Sequence, residues 1–169
     1  IKKCFRHRKK KEYIKKINAK NKQELDLLIQ ARESAGWEVV DRKRQPKLSR
    51  NMQKDKPLSL QLEDELWCLM ASMGFTDLSD GEKFKIPQTG GQNDVQIDIF
   101  AKDSETALFI ETTQSQTLKR KDMSSLINRI LKYSGDVRQA TIAHYGSKPK
   151  LKMAHIIATR RIEWGEADL

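Results

Sequence analysis

The pattern of apolar and polar positions is clearest in two short stretches of the second half of the chain. They are Asn93-Asp94-Val95-Gln96-Ile97-Asp98-Ile99-Phe100 and Ala107-Leu108-Phe109-Ile110-Glu111-Thr112-Thr113. Both are rich in β-branched and aromatic residues, and the polar run Lys102-Asp103-Ser104-Glu105 joins them, so they read as a hairpin. With Ser104 and Glu105 at the tip, Phe100 faces Phe109, Asp98 faces Glu111 and Gln96 faces Thr113. Side chains alternate along a strand, so Asp98 and Glu111 project from the same face. Like charges set opposite one another destabilise a sheet. A hard divalent cation between the two carboxylates is one compensation. Two carboxylates at a wet strand end, or parted by a one-residue change of register, are the plainer alternative.

The same reading gives the rest of the chain coarser elements. Helix formers fill 1–34, with Ile14, Ile17, Leu25 and Leu28 near one stripe, and Gly36 ends that helix. Trp37-Glu38-Val39-Val40 is extended, and the cationic stretch 41–56, with Pro46 inside it and Pro57 after it, reads as a linker or arm. From Leu58 the composition changes: Leu62, Leu66, Leu69, Met70 and Met73 recur at helical spacing, and Gly74 closes the helix. Residues 77–81 read as a loop, Phe84-Lys85-Ile86 as a strand, and Thr89-Gly90-Gly91-Gln92-Asn93 as a turn without the spacing of a phosphate loop. After the hairpin, 118–133 predicts a helix carrying Met123, Leu126, Ile127 and Ile130. Ser134-Gly135 separates it from a second helix over 136–145, and 152–158 predicts a last strand. The expected architecture is α/β: a basic helical arm and linker over 1–57, then a domain over 58–169.

Charge sharpens that division. Residues 1–57 hold 19 Lys and Arg against 7 Asp and Glu, whereas residues 58–169 hold 14 against 16. The whole excess of the +10 chain therefore sits in its first third, which points to a polyanionic partner, nucleic acid before an acidic membrane. Lys9, Lys10, Arg42, Lys43 and Arg44 are the candidate phosphate contacts there. Lys119, Arg120 and Lys121, expected in the first turn of a helix where positive charge opposes the dipole, are the candidates in the second part. Cys4 and Cys68 lack metal-ligand spacing and read as free thiols of a reducing cytoplasm; no stretch is apolar enough to span a bilayer. His144 and His155 have no nucleophile or orienting partner in the pattern and read as structural. The chain starts at Ile1, which reads as a piece of a longer protein.

The order helix, three strands, helices, strand, with a carboxylate on each of two adjacent strands, resembles the PD-(D/E)xK nuclease superfamily. Asp98 in Gln96-Ile97-Asp98-Ile99-Phe100 matches its first metal-binding Asp, and Glu111 in Phe109-Ile110-Glu111-Thr112-Thr113 its second acid. Glu63 in Leu62-Glu63-Asp64-Glu65-Leu66-Trp67 resembles the helix Glu that many members add. The stretch from Leu66-Trp67 to Met73-Gly74-Phe75, with Ile97 to Ala101 and Glu105 to Leu108, is similar to the nuclease-like region that precedes DGQHR domains in DndB-related proteins. The resemblance implies a restriction-endonuclease-like αβββαβ core with a mixed sheet flanked by helices. It also implies DNA as partner, Mg²⁺ or Mn²⁺ held by Glu63, Asp98 and Glu111, a homodimer in duplex-cutting members, and a DGQHR domain downstream.

The sequence departs from that pattern at Thr113, where active members have Lys two residues after the second acid. Two rescues stand beside each other. Thr113 or Gln114 positions the attacking water, or a lysine from elsewhere, Lys85, Lys119 or Lys121, supplies the charge. Two functions stay open: a metal-dependent DNA phosphodiesterase, or a nuclease-like module that binds DNA or protein without cutting.

Overall fold

The computed structural model describes residues 2–40, 46–79, 85–86, 94–146 and 151–165. Two compact units compose it: Lys10–Pro57, and Leu58–Leu169 together with Ile1–Lys9. The first nine residues thus cluster with the larger unit rather than with an arm. Their helix, α1 (Lys2–Arg8), is anchored by Arg8, which donates to Asp64 at 2.7 Å and stacks its guanidinium 5.0 Å from the centre of the Trp67 ring.

The smaller unit contains β1 (Glu12–Asn18), α2 (Lys22–Glu33), β2 (Glu38–Val40) and β3 (Ser49–Asp55). β3 lies between β1 and β2 and runs antiparallel to both, so β1-α2-β2 is a crossover split by a third strand. The expected helix over 1–34 is therefore two helices with a strand between them. Tyr13, Ile14 and Ile17 have the β-branched and aromatic character of a strand, and β1 finds seven partners along β3. Asn21 starts α2 afresh, its side chain accepting from the Glu24 amide at 2.9 Å, while Glu24 reaches back to the Lys20 amide at 2.7 Å. Gly36 ends α2 as expected, at φ +78, where a side chain would be strained. The linker expected over 41–56 is corrected as well. Its second half is the central strand β3, and Met52, fully buried, packs with Ile17 and Leu25 as the unit's core.

The larger unit opens with α3 (Leu58–Ser72), the helix the spacing predicts. There follow β4 (Asp77–Leu78), β5 (Lys85–Ile86), β6 (Val95–Gln96), β7 (Ile99–Lys102), β8 (Thr106–Arg120), α4 (Ser124–Tyr145) and β9 (Lys152–Glu163). One sheet has the order β4-β7-β8-β9, antiparallel at its first two pairings and parallel at β8-β9, where α4 makes the crossover; β5 and β6 pair as a separate antiparallel ribbon. The fold of this unit is α/β with a mixed sheet.

Alternation along β7 and β8 sorts the core onto the two sheet faces. Ile99, Ala101 and Ile110 pack with Trp67, Met70 and Phe75 on the α3 side. Phe100, Ala107 and Phe109 pack with Ile130, Tyr133 and Val137 on the α4 side. Three expectations change. The loop at 77–81 contains β4. The strand expected over 93–100 breaks at Ile97-Asp98, between β6 and β7. The helices expected over 118–133 and 136–145 are one, α4, which starts only at Ser124. Ser134-Gly135 does not interrupt it, because the Ser134 hydroxyl donates to the Leu131 carbonyl and a Cβ on Gly135 would meet open space. Residues 114–120 continue β8 instead, with Gln114, Lys119 and Arg120 paired to β9 across a register shift between Gln114 and Lys119. Near the end of β9, Arg161 has a left-handed backbone at φ +57.

Candidate functional site

Two devices in β7 and β8 position the carboxylates. The β7-β8 ladder pairs Phe100 with Phe109 and Ile99 with Ile110, the register the sequence predicts. The tip is fixed by Asp103, whose Oδ1 accepts from the amides of Glu105 and Thr106 at 2.8 and 2.7 Å. Asp98 falls one residue before β7 and extends the ladder with its side chain: Oδ2 accepts from the Thr112 amide at 2.7 Å and from the Thr112 hydroxyl at 2.9 Å. Its second oxygen has no donor among the described residues.

Glu111 is buried, 4 % exposed, on the α4 side of the sheet. Tyr133 donates its hydroxyl to Oε1 at 2.8 Å, and Arg129 donates Nη2 to Oε2 at 2.9 Å. Burial still pushes the Glu111 carboxyl above the ordinary glutamate range, with the Asp98 charge adding to it, against the lowering by Tyr133 and Arg129. Tyr133 is pushed up by burial and by its bond to Glu111, so it remains a protonated donor. Arg129 and Tyr133 are the functional residues the sequence reading missed. The signal was their i, i+4 spacing on the helix that follows the Glu111 strand, which sets both on one face.

Glu63 sits on α3, 3.5 Å from Arg8. Burial is the main cause that raises its pKa to about 7; Arg8 opposes this, and Asp98 and Asp64 reinforce it. The Asp98 charge contributes to the raised pKa of both Glu63 and Glu111, in each case behind burial. Burial raises both glutamates, and the Arg8 and Arg129 guanidinium groups offset it only in part. Among the described residues, no three His, Cys, Asp or Glu side chains stand close enough to hold an ion as arranged.

The remaining predicted residues scatter around this group. Thr113 accepts a hydrogen bond from Lys121 Nζ at 2.9 Å, so a lysine does approach the position two residues beyond Glu111. It comes from the connection after β8, not from a helix. Lys119 and Arg120 are exposed on β8, which removes the dipole argument made for them. Gln114 keeps its amide nitrogen buried without a partner. Lys85 is exposed on β5, paired with Gln96, and makes no contact with the carboxylates among the described residues. Lys9 and Lys10 are exposed, whereas Arg8 in the same basic run is committed to α3. Arg42, Lys43, Arg44 and the turn at 89–93 lie outside the described residues. His155 stacks on Phe109 with centroids 5.1 Å apart, and burial lowers its pKa.

No family model matches the chain, and no curated protein matches it. Among the described residues, no helix is long and apolar enough to cross a membrane.

Proposed function

We propose that the larger unit is a nucleic-acid-processing module of the PD-(D/E)xK type, whose carboxylates serve metal-dependent phosphodiester hydrolysis. The observation that carries this reading is a buried Glu111 on β8 with Asp98 tied to the next residue, Thr112, on elements in the order helix, three antiparallel strands, helix crossover, parallel strand. That order supports a restriction-endonuclease-like core. The donor set is all carboxylate oxygen, which suits Mg²⁺ or Mn²⁺ in kind. Glu63, Asp98 and Glu111 would hold it. An ion held there would supply neutralisation of phosphate charge and activation of water. The chain's own residues do the rest. Thr112 fixes Asp98, Tyr133 fixes one oxygen of Glu111, and Lys121, resting on Thr113, brings a cation to the position where the sequence lacks its motif lysine. The exposed cations Lys119, Arg120 and Lys121, along and just after β8, would contact phosphates.

A second reading rests on one specific observation: both oxygens of Glu111 are already engaged by Arg129 and Tyr133. A carboxylate satisfied inside the protein needs no ion, and the module then binds nucleic acid without cutting it. Linear and supercoiled DNA incubated with the chain in Mg²⁺ and in Mn²⁺ separates the two. Cleavage that is lost in Glu111→Ala and reduced at least tenfold in Lys121→Ala supports hydrolysis. An inert native chain, with cutting restored by Thr113→Lys, supports the binding module. Inertness of every variant removes the nuclease reading.

A further inference from the structure

The two oxygens of Glu111 are held by partners of opposite mobility. Tyr133 is 1 % exposed and donates from inside the core, so it cannot leave without opening the packing around Val137 and Phe109. Arg129 donates through one nitrogen while 59 % of its side chain remains in solvent. A guanidinium offers five N–H donors in a planar fork that matches phosphate oxygens, and most of the Arg129 fork is free to turn. The carboxylate it neutralises has the opposite character, being 6 % exposed at the side chain and unable to follow. A divalent cation and the guanidinium compete for Glu111 Oε2, because two cations brought to one carboxylate oxygen repel each other. Whatever draws Arg129 outward therefore frees this oxygen.

We infer that Arg129 is an exchangeable counter-ion: it neutralises Glu111 in the resting chain, yields Oε2 to a divalent cation, and carries its guanidinium to a backbone phosphate of the nucleic acid. This inference rests on the proposed reading of the carboxylates as a cation site. It makes Arg129 a positioning residue for that site and a binding residue for the polyanion. Linkage follows: a phosphate that occupies Arg129 raises affinity for the ion, and the ion raises affinity for the phosphate.

The test is a titration of Mn²⁺ into the full 169-residue chain without nucleic acid, with free Mn²⁺ followed by electron paramagnetic resonance. The native chain is compared with Arg129→Gln, Arg129→Lys and Asp98→Ala. Arg129→Gln is expected to bind Mn²⁺ about tenfold tighter, the equivalent of one charge-assisted hydrogen bond removed from competition, while Arg129→Lys stays near native. In metal-free buffer the same Arg129→Gln change is expected to lower the log–log salt slope of duplex DNA binding by about one. Arg129 is exposed enough that the glutamine variant should fold, and thermal melts verify it; the lysine variant serves as the charge-conserving control. Unchanged or weaker Mn²⁺ affinity in Arg129→Gln, with binding still abolished by Asp98→Ala, overturns the exchange and leaves the cation site standing. No Mn²⁺ uptake by either the native chain or Arg129→Gln overturns the cation site and the exchange with it.

Discussion

The smaller unit displays positive charge, and the larger one buries negative charge. Residues 10–57 carry 14 Lys and Arg against 7 Asp and Glu around a core of three buried apolar residues, Ile17, Leu25 and Met52. In the larger unit, apolar clusters lie on both faces of the four-stranded sheet, and Asp64 and Glu111 are buried among them; no buried acid occurs in the smaller unit among the described residues. The difference is one of surroundings. A buried carboxylate needs partners held in place, and a sheet packed on both sides can hold them, as Tyr133 and Arg8 show. The smaller unit, with one helix against its sheet and a thin core, buries one charge, Lys56, and no acid among the described residues; most of its other described cations are exposed, where salt sets the reach of their field.

Emptying each core in turn breaks that comparison most forcefully. Phe109→Ala should cost about 3–5 kcal/mol and Met52→Ala about 2–5 kcal/mol, as large-to-small changes at fully packed sites. Residue-resolved hydrogen exchange should show β7 and β8 losing protection in the first and β1 and β3 in the second. Equal loss in both units from either change would mean that the two cores are not separate. A smaller effect is expected from Tyr133→Phe, which keeps the ring and removes only the donor to Glu111. It should cost about 1–3 kcal/mol in urea unfolding, the penalty for a buried acceptor left without its partner. A neutral result would show Glu111 to be satisfied by other means.

The smallest effect is a slope. Glu63 titrates at about 7 in the folded chain against 4.5 unfolded, so between those values the folded state binds the extra proton. Stability from this group is fully present below about pH 4.5 and is lost as pH rises through 7. Glu63→Gln should flatten the fall in melting temperature between pH 5 and 7. A slope that survives the substitution would assign the proton to another group, with Glu111, also raised, the first to examine.

Legibility in the sequence followed the same contrast. The β7-β8 register was readable because Phe100, Phe109, Ile99 and Ile110 are buried on opposite faces, and a slip of one residue would have exchanged all four. β3 was not readable. Its only buried apolar residue is Met52, so the strand rests on hydrogen bonds to neighbours distant in sequence, which no local pattern reports. The run Ser115-Gln116-Thr117-Leu118-Lys119-Arg120 was equally mute, because its strand state comes from the length of β9. At the site, the opposition of Asp98 and Glu111 was legible from spacing, and the compensation was not. Sequence logic asked for a cation between two acids; the fold answers first with Thr112, Tyr133 and Arg129, partners that only tertiary packing brings within reach.

The left-handed backbone at Arg161 has a consequence for solubility. Among the described strands β9 is the outer member of its sheet, and an outer strand with an open rim of amides and carbonyls templates further chains. At Arg161 the rim turns away from the flat extended path, and the side chain folds back onto the Gln116 carbonyl. Arg160 beside it is tied to Glu65 on α3. An arriving strand would meet a bend and two anchored cations at this end of β9, where it needs a straight, unoccupied edge.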